Sequence, residues 1–255
     1  MKIDTAYQTD RGTIKDVNQD ALLIKTARCV KGNIAFFCIC DGMGGLSQGE
    51  MASTHVIYAM SDWFDHRLPG LLEKDNPDEV IKEELFHVIG QTNAQLREYG
   101  MQNRLQLGTT CTAALVLPDF YYVVHVGDTR LYEITDAIRQ ITHDQTVLAR
   151  EISLGRVLPQ NAQNDTRGSV LLQCIGASKT VEPEFIVRKT KRGAVLMLCT
   201  DGFRNKVSDL EFLDGFHPKF MTDERVMEKQ CEYFVELGKQ RMERDNLTVL
   251  LAKIW

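Results

Sequence analysis

No basic block interrupts the charge pattern of this chain. Its 30 Lys and Arg against 35 Asp and Glu leave a formal net charge of −5, which argues against a nucleic-acid or anionic-membrane partner. Long apolar runs are absent as well. The longest, Ile34 to Cys40, is far too short to span a bilayer, and the opening MKIDTAYQTD lacks the apolar core of a signal peptide, so a cytoplasmic protein is expected. The 7 cysteines are odd in number and scattered, with no Cys-x-x-Cys pair; neither a disulfide framework nor a zinc knuckle is indicated. A Cys-x5-Arg loop and a G-x4-G-K-[ST] loop are missing too, which removes a cysteine-nucleophile phosphatase and a P-loop nucleotide hydrolase. There is no internal repeat, low-complexity tract or linker, so one domain over residues 1–255 is expected.

What the chain does have is a set of short β-type runs: Ala21 to Lys25, Ile34 to Cys40, Thr112 to Leu117, Tyr121 to Val126, Leu131 to Ile134, Val195 to Cys199 and Leu247 to Lys253. Most are joined by turns too short for a crossover helix, which favours antiparallel sheets. Helical periodicity predicts Glu50 to His66, Pro77 to Met101 and Glu224 to Gln240. Asn76 is the expected N-cap of the second, with Pro77 in its first turn. Val80, Leu85, Val88 and Leu96 give that helix an apolar face, as Met227, Phe234 and Leu237 do for the third. Helices packed outside antiparallel sheets, an α+β class, follow. The segment from Arg150 to Ser169 is polar, holds Gly155, Pro159, Asn161, Asn164 and Gly168, and reads as a long loop, either a flap over substrate or a surface insertion.

Four aspartates stand at the ends of the apolar runs: Asp41 after IAFFCIC, Asp128 in HVGDTR, Asp201 after VLMLCT, and Asp245 before LTVLLAKI. One Asp-Gly at a strand end is ordinary turn chemistry. Four together describe an oxygen-rich pocket for hard divalent cations, and therefore metal-assisted hydrolysis. Cys38, Cys40 and Cys199 have apolar neighbours and read as core-filling thiols.

Taken in order, TDRGTIKDVNQDALL, DGMGG with GEMAS, GTTCTAALV, VGDTRLY, ITHDQT, IGAS, CTDGF and RDNLTVLL resemble the metal-dependent serine/threonine phosphatases of the protein phosphatase 2C family, bacterial type. The resemblance implies a four-layer αββα sandwich, two antiparallel sheets flanked by helix pairs, with the metal site at one edge between the sheets. It also implies two Mn²⁺ or Mg²⁺ ions bridged by Asp41. Asp201 and Asp245 would complete one ion's shell, and the carbonyl of Gly42 and Asp20 would serve the other. Glycines at 42, 44 and 45 would let backbone approach the ions. Asp128 would hold a weak third ion. Thr109 and Thr110 resemble positions lining the metal waters, and Asn246 a residue that fixes the last ligand.

The chain departs from the family pattern at several positions. Gln19 stands where many members have Glu, and Asn205 where an acidic residue is common. Lys15 replaces an arginine that would grip phosphate, with Arg11 as the nearby substitute. Met43 takes the place of a histidine found in animal-type relatives; His143 reads as a surface-turn residue and His125 as a sheet residue. The function expected is hydrolysis of phosphoserine and phosphothreonine on proteins by a monomer opposing a cellular kinase, with catalysis at Asp41, Asp201, Asp245 and Lys15. The alternatives are a phosphoprotein-binding pseudophosphatase and a hydrolase of small phosphate esters.

Overall fold

A strand that is apolar at consecutive positions needs cover on both faces, and IAFFCIC meets that condition. In the computed structural model, which describes residues 1–29, 31–43, 48–74, 77–162 and 165–255, it forms β3 (Gly32–Cys40), buried from Ile34 onward. Phe36, Cys38 and Cys40 face a helical layer, while Ala35, Phe37 and Ile39 face a second sheet. Gly44, Gly45, Asn76 and Asn164 of the sequence expectations lie outside the described residues.

One sheet has the order β2 (Ala21–Cys29), β3, β4 (Cys111–Val116), β5 (Phe120–Val126) and β8 (Glu184–Lys189). The other runs β1 (Ile3–Asp10), β10 (Leu247–Ile254), β9 (Val195–Cys199), β6 (Arg130–Ile134) and β7 (Ile138–Gln140). Every pairing among these strands is antiparallel. Helix α1 (Gly49–Asp62) passes through a π turn at Trp63–Arg67 into α2 (Leu68–Leu71), and with α3 (Pro77–Asn103) it covers the first sheet. Helix α4 (Val147–Ser153) follows β7. The helices α5 (Asp201–Arg204), α6 (Asp209–Phe216) and α7 (Glu224–Gln240) cover the second sheet. The result is the expected α+β sandwich, four layers separated by three apolar cores.

The expected strands and helices are present, with additions. β1, β7, β8, α2, α4, α5 and α6 were not among the sequence expectations. The segment from Arg150 to Ser169, expected as a loop, carries helical structure: α4 runs into it, and 3-10 turns occupy Pro159–Asn161 and Thr166–Ser169. The buried stripe of α3 is centred on Ile81, Leu85, Ile89 and Leu96, with Val80 and Val88 at its flank. No described helix is long and apolar enough to cross a membrane.

Aromatic packing fixes the short helix that opens with Asp201. Phe203 of α5 stacks on Phe212 of α6 with centroids 5.4 Å apart, and Phe234 of α7 lies 4.7 Å from Phe216. Such pairs add about 0.5–1.5 kcal/mol each beyond the area they bury. A four-residue helix has little stability of its own, so this cluster holds Asp201 in place.

Candidate metal centre

Strand register carries the aspartates to one edge. Ala21 pairs with Cys40, so Asp20 and Asp41 leave β2 and β3 side by side. Arg130 pairs with Cys199, which places Asp128 and Asp201 together beyond β6 and β9, and Asp245 enters β10 alongside β9. Both sheets therefore contribute carboxylates to the same place.

The backbone of Asp41 is clamped from behind by the Gly-Thr-Thr segment. Its N–H donates to Thr110 Oγ1 at 2.9 Å, and its carbonyl accepts from Thr109 Oγ1 and from the Thr110 N–H, each at 2.9 Å. Both threonines are buried. Gly42 follows with no room for a side chain: a Cβ there would stand 2.4 Å from Gly49 O and 2.5 Å from Gln19 O. The close approach of three backbone segments explains that glycine. Gln19 carries no charge, but its amide donates to Glu50 at 3.2 Å, so a carboxylate lies beside it.

Asp20 is held across the sheets. Its Oδ2 accepts from Thr248 Oγ1 at 2.6 Å and Thr200 Oγ1 at 3.1 Å, while Oδ1 is buried with no partner among the described residues. Asn246 ties the β1–β2 loop to the start of β10. Its Oδ1 accepts from the Gln19 N–H at 2.9 Å, and its Nδ2 donates to the carbonyls of Arg11 at 2.9 Å and Val17 at 3.1 Å. Gly202 lets α5 pack onto this segment, since a Cβ there would meet Asn246 O at 2.1 Å.

Lys15, on the same loop, places Nζ 2.8 Å from Asp245 Oδ1. Arg11 is exposed, and its backbone carbonyl accepts from Asn246 Nδ2. Asp128 is 6% exposed and faces Arg204, whose Nη2 donates to the Asp128 carbonyl at 3.1 Å and lies 3.6 Å from Oδ2.

The electrostatics are those of crowded like charges. Burial raises the Asp41 carboxyl well above its ordinary range, and repulsion from Asp20, Asp201, Asp128 and Asp245 adds to this. Burial likewise lifts Asp20 to about 7 against the lowering effect of its Thr248 and Thr200 hydrogen bonds, with repulsion from Asp201 and Asp245 adding to the rise, and lifts Asp128 to about 7 with help from Asp201. Lys15 moves upward: burial opposes its charge, but the Asp245 hydrogen bond and the charges of Asp245, Asp41 and Asp201 outweigh it. Carboxylate and carbonyl oxygens, an orphaned buried carboxylate oxygen and mutual repulsion fit hard divalent ions. Asp128 fits less well, since a guanidinium already faces it.

The histidines stand apart. His125 is buried between Thr112 Oγ1 at 2.8 Å and the His143 carbonyl at 3.1 Å, and burial lowers its pKa. The exposed His143 is paired with Glu184. Cys38, Cys40 and Cys199 are buried in the core; Cys38 Sγ lies 3.9 Å from Cys40 and 3.7 Å from Cys111. A cavity of about 430 Å³ adjoins the centre. It is lined by Asp128, Asp201 and Arg204 on one side and by Ile152, Asp165 and Ser169 on the other, which places the segment from 150 to 169 beside the site. Sequence reasoning missed Thr200, Thr248 and Arg204, whose contacts depend on cross-sheet packing.

Comparison with known proteins agrees with this geometry. Residues 11–243 match the family model described as Protein phosphatase 2C. The chain is 27% identical over 251 residues to the serine/threonine phosphatase stp of Listeria welshimeri, an alignment covering 97% of this chain and 94% of the relative. The crystal structure of serine/threonine phosphatase Stp1 from Staphylococcus aureus superposes with a TM-score of 0.85 at 27% identity, covering 100% of this chain and 96% of that one. The catalytic domain of the serine/threonine protein phosphatase PstP in complex with 2 manganese ions gives 0.77 at 28% identity, covering 98% and 97%.

Proposed function

The chain belongs to the protein phosphatase 2C family and is a phosphatase dependent on Mn²⁺ or Mg²⁺, and we propose that it hydrolyses phosphoserine and phosphothreonine monoesters on proteins at the aspartate edge. The observation that carries this reading is the meeting of Asp20 and Asp41 from one sheet with Asp201 and Asp245 from the other, where Asp20 Oδ1 has no partner among the described residues. Asp41 would bridge two ions. The Gly42 carbonyl and Asp20 would hold one, and Asp201 and Asp245 the other. When bound, such ions supply the Lewis acidity that lowers the pKa of the attacking water and offsets charge on the phosphoryl oxygens.

The chain's own residues orient the rest. The Thr109 and Thr110 clamp fixes Asp41, and Thr200 with Thr248 fixes Asp20, so the ligands are preorganised. Lys15 serves as the positive charge for the substrate dianion, with Arg11 on the same loop as a second, solvent-facing cation. Water adds to phosphorus as the P–O ester bond breaks, and the leaving oxygen takes a proton to give the serine or threonine hydroxyl and inorganic phosphate. His143 is engaged with Glu184 and has no part in that transfer. The segment from 150 to 169, which shares a cavity with Asp128 and Asp201, contributes to substrate choice. Buried reduced thiols suit a cytoplasmic enzyme, working as a single-domain monomer over residues 1–255 against a serine/threonine kinase.

The test is an assay of metal-stripped protein resupplied with Mn²⁺, Mg²⁺ or Zn²⁺ on phosphoserine, phosphothreonine and phosphotyrosine peptides. Turnover of the first two with Mn²⁺ or Mg²⁺ is expected. Full turnover in excess EDTA would refute the reading.

A further inference from the structure

The two sides of the aspartate edge are built differently. Asp20 ends in an orphaned oxygen, whereas both the carbonyl and the carboxylate of Asp128 face one guanidinium. Arg204 Nη2 donates to the Asp128 carbonyl at 3.1 Å, lies 3.6 Å from Asp128 Oδ2, and lies 3.7 Å from Asp144 Oδ2. The Arg204 side chain is 14% exposed and that of Asp128 9%. Its position is set by the fold, because Arg204 closes α5 and Phe203 beside it is stacked in the aromatic cluster.

We propose that Arg204 acts as a built-in cation at Asp128, standing where the family resemblance would put a third metal ion, so that this protein works with two ions and a fixed guanidinium. The inference rests on the two-ion reading of the neighbouring centre. The other arginine nearby, Arg130, is already committed: it grips Asp144 in a two-point fork at 2.8 and 2.6 Å and donates to the Tyr132 hydroxyl at 2.8 Å. Arg204 is therefore the cation that meets Asp128 among the described residues. A divalent ion needs several oxygens at about 2.0–2.6 Å. Here the Asp128 carbonyl and Oδ2 look onto a positive group that would repel such an ion. Asn205, one residue further on, supplies no charge to offset that repulsion. Arg204 is a positioning residue in this scheme: it holds the Asp128 turn against α5 and keeps positive charge at the wall of the cavity shared with Asp201.

Ion counting tests this without relying on turnover. Mn²⁺ binding is measured by equilibrium dialysis and calorimetry on wild type, Arg204→Ala, Asp128→Asn and the double variant, with melting curves to confirm folding. The Arg204→Ala protein is expected to gain one weaker site, and the double variant to lose that gain. An Arg204→Ala protein that folds and binds no more Mn²⁺ than wild type overturns the proposal. Asp128→Asn alone judges it independently of whether Arg204→Ala folds. An unchanged ion count supports the guanidinium, and the loss of one ion overturns it. The number bound by wild type speaks separately to the two-ion reading, since only the differences between proteins bear on Arg204.

Discussion

Thr248 donates its hydroxyl to Oδ2 of Asp20 at 2.6 Å, so a strand of one sheet holds a carboxylate carried by the other. Thr200 reaches the same oxygen at 3.1 Å while accepting from the Thr248 N–H, also at 3.1 Å. Thr248→Val keeps the volume and removes the donor. We expect Mn²⁺ affinity to fall by about 10–100-fold, as for other groups that orient a metal ligand, with turnover recovering at saturating Mn²⁺. Activity measured across a Mn²⁺ titration decides this; an unshifted curve would reduce the threonine to packing.

Asp41→Asn, Asp201→Asn and Asp245→Asn should each lower kcat by about a hundredfold or more, because an anionic ligand that binds and positions the ions is lost. The same changes relieve repulsion among crowded carboxylates. In EDTA the variants should therefore melt no lower than wild type, and a relief of about 1 kcal/mol would appear as roughly 2–4 °C. A marked fall in melting temperature in EDTA would show that these aspartates are structural.

Lys15 is bound to Asp245 at 2.8 Å, so removing it has two opposite effects. Lys15→Ala should raise KM for a small aryl phosphate and weaken inhibition by inorganic phosphate, by about tenfold or more for a lost charge-assisted hydrogen bond. It should also tighten Mn²⁺ binding, since a cation competing for Asp245 is gone. Lys15→Arg should restore phosphate binding through its planar fork. Unchanged KM and phosphate inhibition in Lys15→Ala would move attention to Arg11.

Residues 154–169 can be exchanged for a Gly/Ser linker that leaves α4, which ends at Ser153, in the chain. Loss of about tenfold in kcat/KM on phosphopeptides, against a change within about twofold on aryl phosphate, is expected if only the larger substrate reaches this segment. Parallel losses on both substrates would place the segment in the chemistry instead.

Ser208 and Glu211 form a reciprocal cap on α6, and Arg241 holds Glu211 from the other side. The Arg241 hydrogen bond, with the Ser208 backbone N–H, depresses Glu211 to about 2. A carboxylate depressed in the folded state stabilises fully above its unfolded pKa near about 4.3, and that contribution fades as pH falls toward about 2. The melting difference between wild type and Glu211→Gln should therefore shrink between about pH 5 and about pH 2. Ser208→Ala should cost about 1 kcal/mol at neutral pH and leave kcat unchanged.

Legibility followed burial. β3, β4, β5, β9 and β10 are covered on both faces, so they stand out as continuous apolar runs. β1 carries Thr5, Tyr7, Gln8 and Thr9 in partly exposed positions, and β8 mixes Glu184, Arg188 and Lys189 into its alternation, which blurs both. α6 does leave a signal, the Ser-x-x-Glu capping box at Ser208 and Glu211, but at eight residues it is too short for its periodicity to stand out. The aspartates were visible because each ends a strong strand. Thr200, Thr248 and Arg204 were not, because their partners are 180, 228 and 76 residues away and only sheet packing brings them together.

The order β1-β10-β9 has a consequence for a chain still being made. Synthesis delivers β1, Asp20 and Asp41 early, but β1 finds its neighbour only when residues 247–254 emerge, and Thr248 reaches Asp20 in the same event. Until then the edge of β1 is open to stray pairing, and the pairing that closes it spans nearly the whole sequence, a slow kind of contact. Before β10 is added, Asp20 lacks its Thr248 hydrogen bond and the edge lacks the carboxylate of Asp245, so the aspartate edge is complete only once β10 lies between β1 and β9.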